Sequence, residues 1–217
     1  MKNWSIYLKG FRSFLLLEKS LSVNSIDAYL HDVEKLLQYF EYSQQAIKPE
    51  EVSLQHLQAF LKWINELGMS PYTQARVISG IRAFYKYLII ENIVKNDPAA
   101  MLESPKINRK LPDVLSIQEI DALIGAIDLS LPQGERNKAI LETLYGCGLR
   151  VSELVNLKIS DIYFNEGFVR IIGKGNKERL APIGTSAMKQ IRLYLEHVRV
   201  HCEIKKGSAD ILFLNRR

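Results

Sequence analysis

Two basic clusters and a basic tether in this 217-residue chain have the residue types and spacing needed for chemistry on phosphate. Arg150 stands just after a glycine pair in Leu144-Tyr145-Gly146-Cys147-Gly148-Leu149-Arg150-Val151-Ser152-Glu153-Leu154. Cleaving a phosphodiester by transesterification builds negative charge on the non-bridging oxygens, and a bidentate guanidinium fits two such oxygens in fixed geometry. Arg150 suits that role, with Glu153 supporting the local helix or orienting it. Downstream, Ile172-Gly173-Lys174-Gly175-Asn176-Lys177-Glu178-Arg179 is a glycine-rich basic stretch. A departing oxygen needs a proton, and a lysine whose pKa is lowered by cations such as Lys177 and Arg179 can supply it. Glycines at 173 and 175 leave the turn free to take left-handed angles and to approach a backbone closely. Upstream lie Arg76, Arg82 and Lys86, the last two four residues apart and so on one helical face. Each cluster alone also fits a solvated surface. A basic helix and a basic hairpin tip joined by a basic tether share one explanation, phosphate contact that weakens with salt.

The elements that must position these residues are legible from periodicity. Helical patterning runs from residue 3 to 19 with Ile6, Leu8, Phe11, Phe14, Leu15 and Leu17 as its apolar side. A second helix starts after Ser22 or Asn24 and leaves at 44–49, a third is capped by Ser53 and ended by Gly68, and Ser70-Pro71 opens a long fourth. Short connections between them predict a small bundle. The pattern stops between Asn96 and Pro112, which places a helical domain at 1–97, a basic linker at 98–112 and a second domain at 113–217. In the second domain, Ser116 and Glu119 match a capping box, helices follow at 135–145 and 150–157, and a last one runs from 186 to about 205. Phe168 to Ile172 and Leu180 to Ile183, flanking the glycine-rich turn, predict a β-hairpin.

The box around Arg150 resembles the first catalytic-arginine box of the tyrosine recombinases, the integrase and Xer-type enzymes. The stretch 172–179 resembles that family's lysine hairpin, and Arg76-Val77-Ile78-Ser79-Gly80-Ile81-Arg82-Ala83-Phe84-Tyr85 with Asn96-Asp97-Pro98 is similar to the family's helical arm domain. The likeness spans nearly all of the chain. It implies a mainly α fold: a four-helix, SAM-like core-binding domain followed by part of an α+β catalytic domain with a small hairpin or sheet. It also implies Arg150 and Lys174 as catalytic residues, Lys174 being the general acid, and Arg76, Arg82, Lys86, Lys177 and Arg179 as DNA contacts. The partners implied are a duplex recombination site and further recombinase protomers in a synaptic tetramer.

Family members carry a second box, His-x-x-Arg, then a His or Trp, then a nucleophilic tyrosine. None of His31, His56, His197 or His201 is followed by Arg three residues on, and neither Tyr163 nor Tyr194 has the nucleophile's context. The expectation is a truncated recombinase that binds DNA without strand transfer and leaves apolar surface uncovered; the rival is a noncatalytic DNA-binding or regulatory protein of the same fold. Tyr85 and Tyr87 read as core residues. No metal or other cofactor is expected: no acidic cluster suits Mg²⁺, and His197 and His201 beside Cys202 lack a fourth ligand. Composition agrees with a globular protein, 47% hydrophobic and 24% charged with a net charge of +5. No apolar run approaches the ~20 residues of a membrane span, Cys147 and Cys202 form no CxxC pair, and the expected location is the cytoplasm.

Overall fold

The computed structural model describes residues 2–107, 111–131, 133–173 and 175–215. The chain divides into two compact units, Met1–Leu111 and Pro112–Arg217, each with its own core.

Among the described residues, the first unit has four α-helices, α1 (Lys2–Leu17), α2 (Val23–Tyr42), α3 (Leu54–Glu66) and α4 (Pro71–Ile90). Three start at the serines that the sequence marks: Ser22, Ser53 and Ser70 each accept a hydrogen bond from the amide three residues on. Gly68 ends α3 in the left-handed region at φ 74°, with Gly68 and Met69 amides donating back to Asn65 and Ile64 carbonyls. Aromatic rings fill the centre. Phe84 lies 5.3 Å from Phe11 and 5.9 Å from Trp4, centroid to centroid, and Tyr85 and Tyr87 are buried. The buried face of α1 is Trp4, Phe11, Phe14 and Leu15, whereas Ile6 and Leu17 are 68% and 76% exposed. At about 100° per residue, positions 6 and 17 point away from the side shared by 4, 11 and 15. Gly80 allows α2 and α4 to approach closely, since a Cβ there would fall 2.5 Å from the Asp32 Cβ.

The chain after α4 stays with the first core longer than its loss of periodicity suggests. Ala99 and Leu102 are buried there, so the segment read as a linker from 98 is attached as far as Leu102. Asn108, Arg109 and Lys110 of that basic stretch lie outside the described residues.

The second unit runs α5 (Ile117–Gly125), α6 (Gly134–Gly146), α7 (Val151–Val155), β1 (Ile162–Tyr163), β2 (Phe168–Ile172), β3 (Glu178–Pro182) and α8 (Thr185–His197). The capping box at α5 is present, Glu119 accepting the Ser116 amide at 2.7 Å. The strands form an antiparallel sheet in the order β1-β2-β3, with Ile171 opposite Arg179 and Ile172 opposite Glu178. Val169, Ile171 and Ala181 meet Ala139, Ala187, Ile191 and Tyr194 in one core. The two-residue β1 is too short to leave a period-2 signal, and the sequence does not reveal it. The last helix stops at His197, not near 205. Arg199, itself buried, donates to the carbonyls of Ala209 and Ile211 and turns the chain back, so that Leu212 and Phe213 join the core. Val114, Leu115, Ile117 and Leu123 are exposed, and Leu115 and Leu123 line an apolar groove with Leu141, Leu144 and Tyr145. No described helix is long and apolar enough to cross a membrane.

Candidate active site

Arg150 owes its place to the way α6 ends. Cys147 closes the helix, and Gly148 at φ 58° takes the left-handed position that follows. The Gly148 amide donates to Tyr145 O at 3.2 Å and the Leu149 amide to Leu144 O at 3.0 Å, the pair of bonds that marks a glycine helix stop. Leu149 is buried, which fixes the next residue as the N-cap of α7. The Glu153 carboxylate reaches back over that first turn and accepts the Arg150 amide at 2.9 Å. Its other oxygen accepts from Arg150 Nη1 at 2.8 Å. The Arg150 side chain is still 71% exposed while that of Glu153 is 3% exposed. An arginine is thus anchored at its root by a buried acid and open to solvent at its tip.

The hairpin is fastened to the same acid. Arg179 on β3 donates from Nη2 to Glu153 Oε2 at 2.9 Å and to the Gly148 carbonyl at 3.3 Å. The Arg150 amide, followed by the two guanidinium groups, outweighs burial and holds the Glu153 carboxyl below the ordinary carboxylate range. On β2, Arg170 forms two bonds to Asp161 Oδ1, at 2.8 and 2.6 Å, and Asp161 is buried. Among the described residues of the turn, Gly175 (φ 75°) and Asn176 (φ 58°) are left-handed. Gly173 serves differently: a Cβ there would come 3.3 Å from Glu153 Oε1. Lys174 lies outside the described residues. Lys177 is exposed at the turn. Burial pushes the Cys147 thiol up against the pull of Arg179, which disfavours the thiolate.

The basic residues of α4 divide. Lys86 is exposed. Arg82 donates to the Leu102 carbonyl and is half-buried, so the two do not form one open basic face. Arg76 Nη1 lies 2.7 Å from Oδ1 of Asp32, an acid whose side chain is 2% exposed. Burial outweighs the ion pair with Arg76, and the Asp32 carboxyl is pushed up to about 6 from 3.8. A carboxyl raised by folding costs nothing below its unfolded value, and its penalty grows as pH climbs through the folded value. Asp32→Asn is accordingly expected to stabilise the first unit at pH 7 by on the order of 1–3 kcal/mol and to make little difference below pH 4. Urea melts followed by tryptophan emission would measure it, because both tryptophans, Trp4 and Trp63, lie in that unit.

Tyr194 is fully buried and its hydroxyl accepts the Leu214 amide at 3.3 Å. Tyr163 stacks on Phe168 at 4.6 Å. His197 ends α8 and His201 lies in the 3₁₀ turn beyond it, both exposed. No group of three metal-ligating side chains occurs among the described residues.

With this geometry in view, comparison with known proteins is decisive. The profile described as the phage integrase family matches residues 113–217, and that of the phage integrase N-terminal SAM-like domain matches residues 8–92. The tyrosine recombinase XerD of Oceanobacillus iheyensis is 39% identical over 209 residues, 96% of this chain and 70% of that protein. The chain belongs to the Xer-type tyrosine recombinases. Two solved structures share the fold of this recombinase. A XerH site-specific recombinase bound to palindromic difH substrate is 21% identical, with a TM-score of 0.68 over 92% of this chain and 59% of that one. A lambda integrase tetramer bound to a Holliday junction is 15% identical, with a TM-score of 0.69 over 89% of this chain and 56% of that one. In the recombinase described here, the arginine box and the hairpin meet on one buried carboxylate, Glu153.

Proposed function

We propose that this chain acts in site-specific DNA recombination, with residues 1–217 supplying the grip on a duplex recombination site and the groups that bind the phosphate under attack. The observation that carries this reading is Arg150, rooted on buried Glu153 and exposed at its tip, beside a hairpin fastened to the same acid. Arg150 takes the non-bridging oxygens, and Lys174 is the acid for the leaving 5′ oxygen by family resemblance. Lys177 at the hairpin tip and Lys86 on α4 contact flanking phosphates. Arg76 and Arg82 contribute mainly by holding the arm, given their ties to Asp32 and the Leu102 carbonyl. The reaction class is phosphodiester exchange through a 3′-phosphotyrosyl link among protomers of a tetramer. It takes place in the cytoplasm and needs no metal.

Within residues 1–217 the nucleophile is a different matter. Buried Tyr194 and stacked Tyr163 are both engaged elsewhere, which favours a second reading of these residues as a DNA-binding, noncatalytic unit. One incubation with a nicked, labelled Xer-type site separates the two. A shifted band on a native gel, without a denaturation-resistant adduct, is the expected result for residues 1–217. A protease-sensitive adduct would show that a tyrosine of these residues attacks, with Tyr163 and Tyr194 the first to substitute, and absence of any shift would refute the DNA-binding role.

A further inference from the structure

Arg179 is engaged inside the protein, with its side chain 40% exposed. It lies opposite Ile171 in the strand register, and cross-strand partners share a face. Ile171 is buried, so Arg179 leaves β3 on the side turned toward the core. There its Nη2 is occupied by Glu153 Oε2 at 2.9 Å and the Gly148 carbonyl at 3.3 Å. Glu153 in turn holds Arg150 through Oε1 at 2.8 Å.

The charges at this cluster decide what Arg179 does. Arg150 and Glu153 alone sum to zero, and a carboxylate 2.8 Å from the guanidinium opposes any phosphate that approaches it. With Arg179 on the second oxygen the three groups sum to +1. We infer that Arg179 is a positioning residue that offsets the Glu153 charge, leaving the positive charge of Arg150 available to a phosphate, and ties the hairpin to the start of α7. This inference rests on the reading of Arg150 as a phosphate-binding group.

The test uses residues 1–217 and duplexes that each carry one neutral methylphosphonate, scanned across a Xer-type half-site. The Arg150 phosphate is the position whose neutralisation weakens the parent chain, by about tenfold for one lost charge-assisted contact, and no longer matters in Arg150→Ala. In Arg179→Ala the effect at that same position is expected to fall below about twofold, with the other positions unchanged. Arg179→Lys keeps the charge and should retain most of the effect. Glu153→Gln added to Arg179→Ala removes the charge that needed offsetting and should restore it. Two results overturn the inference: Arg179→Ala erasing the effect at a phosphate that Arg150→Ala leaves sensitive, or Arg179→Lys losing the effect with its melting temperature unchanged. A parent chain with no position sensitive through Arg150 would instead refute the reading of Arg150.

Discussion

Glu153→Ala is expected to destabilise the second unit by about 2 kcal/mol, and to do so only while the carboxyl is ionised. Glu153 closes the first turn of α7 by accepting the Arg150 amide, and it pairs with two guanidinium groups from its almost fully buried position. Removing one member of a fully buried pair costs more, about 3–5 kcal/mol. Here Arg150 and Arg179 keep side-chain exposures of 71% and 40%, so water takes up part of their solvation and the lower figure applies. Folding lowers the Glu153 carboxyl below its ordinary value of 4.5. A depressed carboxyl contributes stability that is present above the unfolded value and is lost as pH falls through the folded one. The difference between parent and variant should therefore be full at pH 7 and shrink below pH 4.5. Far-UV circular dichroism melts at several pH values, with tryptophan emission as a separate monitor of the first unit, would check both the size and its pH dependence.

Phe84→Ala should have the largest effect on the first unit, about 4 kcal/mol. Phe84 is fully buried, with Trp4, Phe11, Tyr85 and Tyr87 all in ring contact. Truncation removes apolar contact and leaves a cavity walled by rings attached to α1 and α4, which cannot collapse far. The urea midpoint read from Trp4 and Trp63 emission should drop markedly. Loss of the stacked ring should also change the emission of Trp4, which lies 5.9 Å from it. A conservative Phe84→Leu should cost clearly less.

How much of this was legible in the sequence depends on how local each determinant is. Caps at Ser22, Ser53, Ser70 and Ser116 and helix stops at Gly68 and Gly148 involve residues within a few positions, and the sequence displays them openly. The hairpin is similarly local. What periodicity could not display is a partner distant in the chain. Arg76, Arg82 and Arg179 look alike in sequence as basic residues for phosphate, yet their partners are Asp32, the Leu102 carbonyl and Glu153. The end of α8 has the same cause, since Arg199 reaches the carbonyls of Ala209 and Ile211 only after the chain has turned. Arg150 was identifiable by its box, but its anchorage is half local, through Glu153 three residues on, and half remote, through Arg179.

The measurement that bears most directly on DNA gripping is the affinity of residues 1–217 for a duplex Xer-type site across a salt series, read by fluorescence anisotropy. Exposed Arg150, Lys177 and Lys86 on two separate units should each displace counterions from phosphates, at about 0.9 in slope per contact. The expected plot of log affinity against log salt is a line of slope about −3 or steeper, with Lys177→Ala shallower by about 0.9. An affinity indifferent to salt between low and physiological concentration, or no binding at the lowest salt, would contradict it.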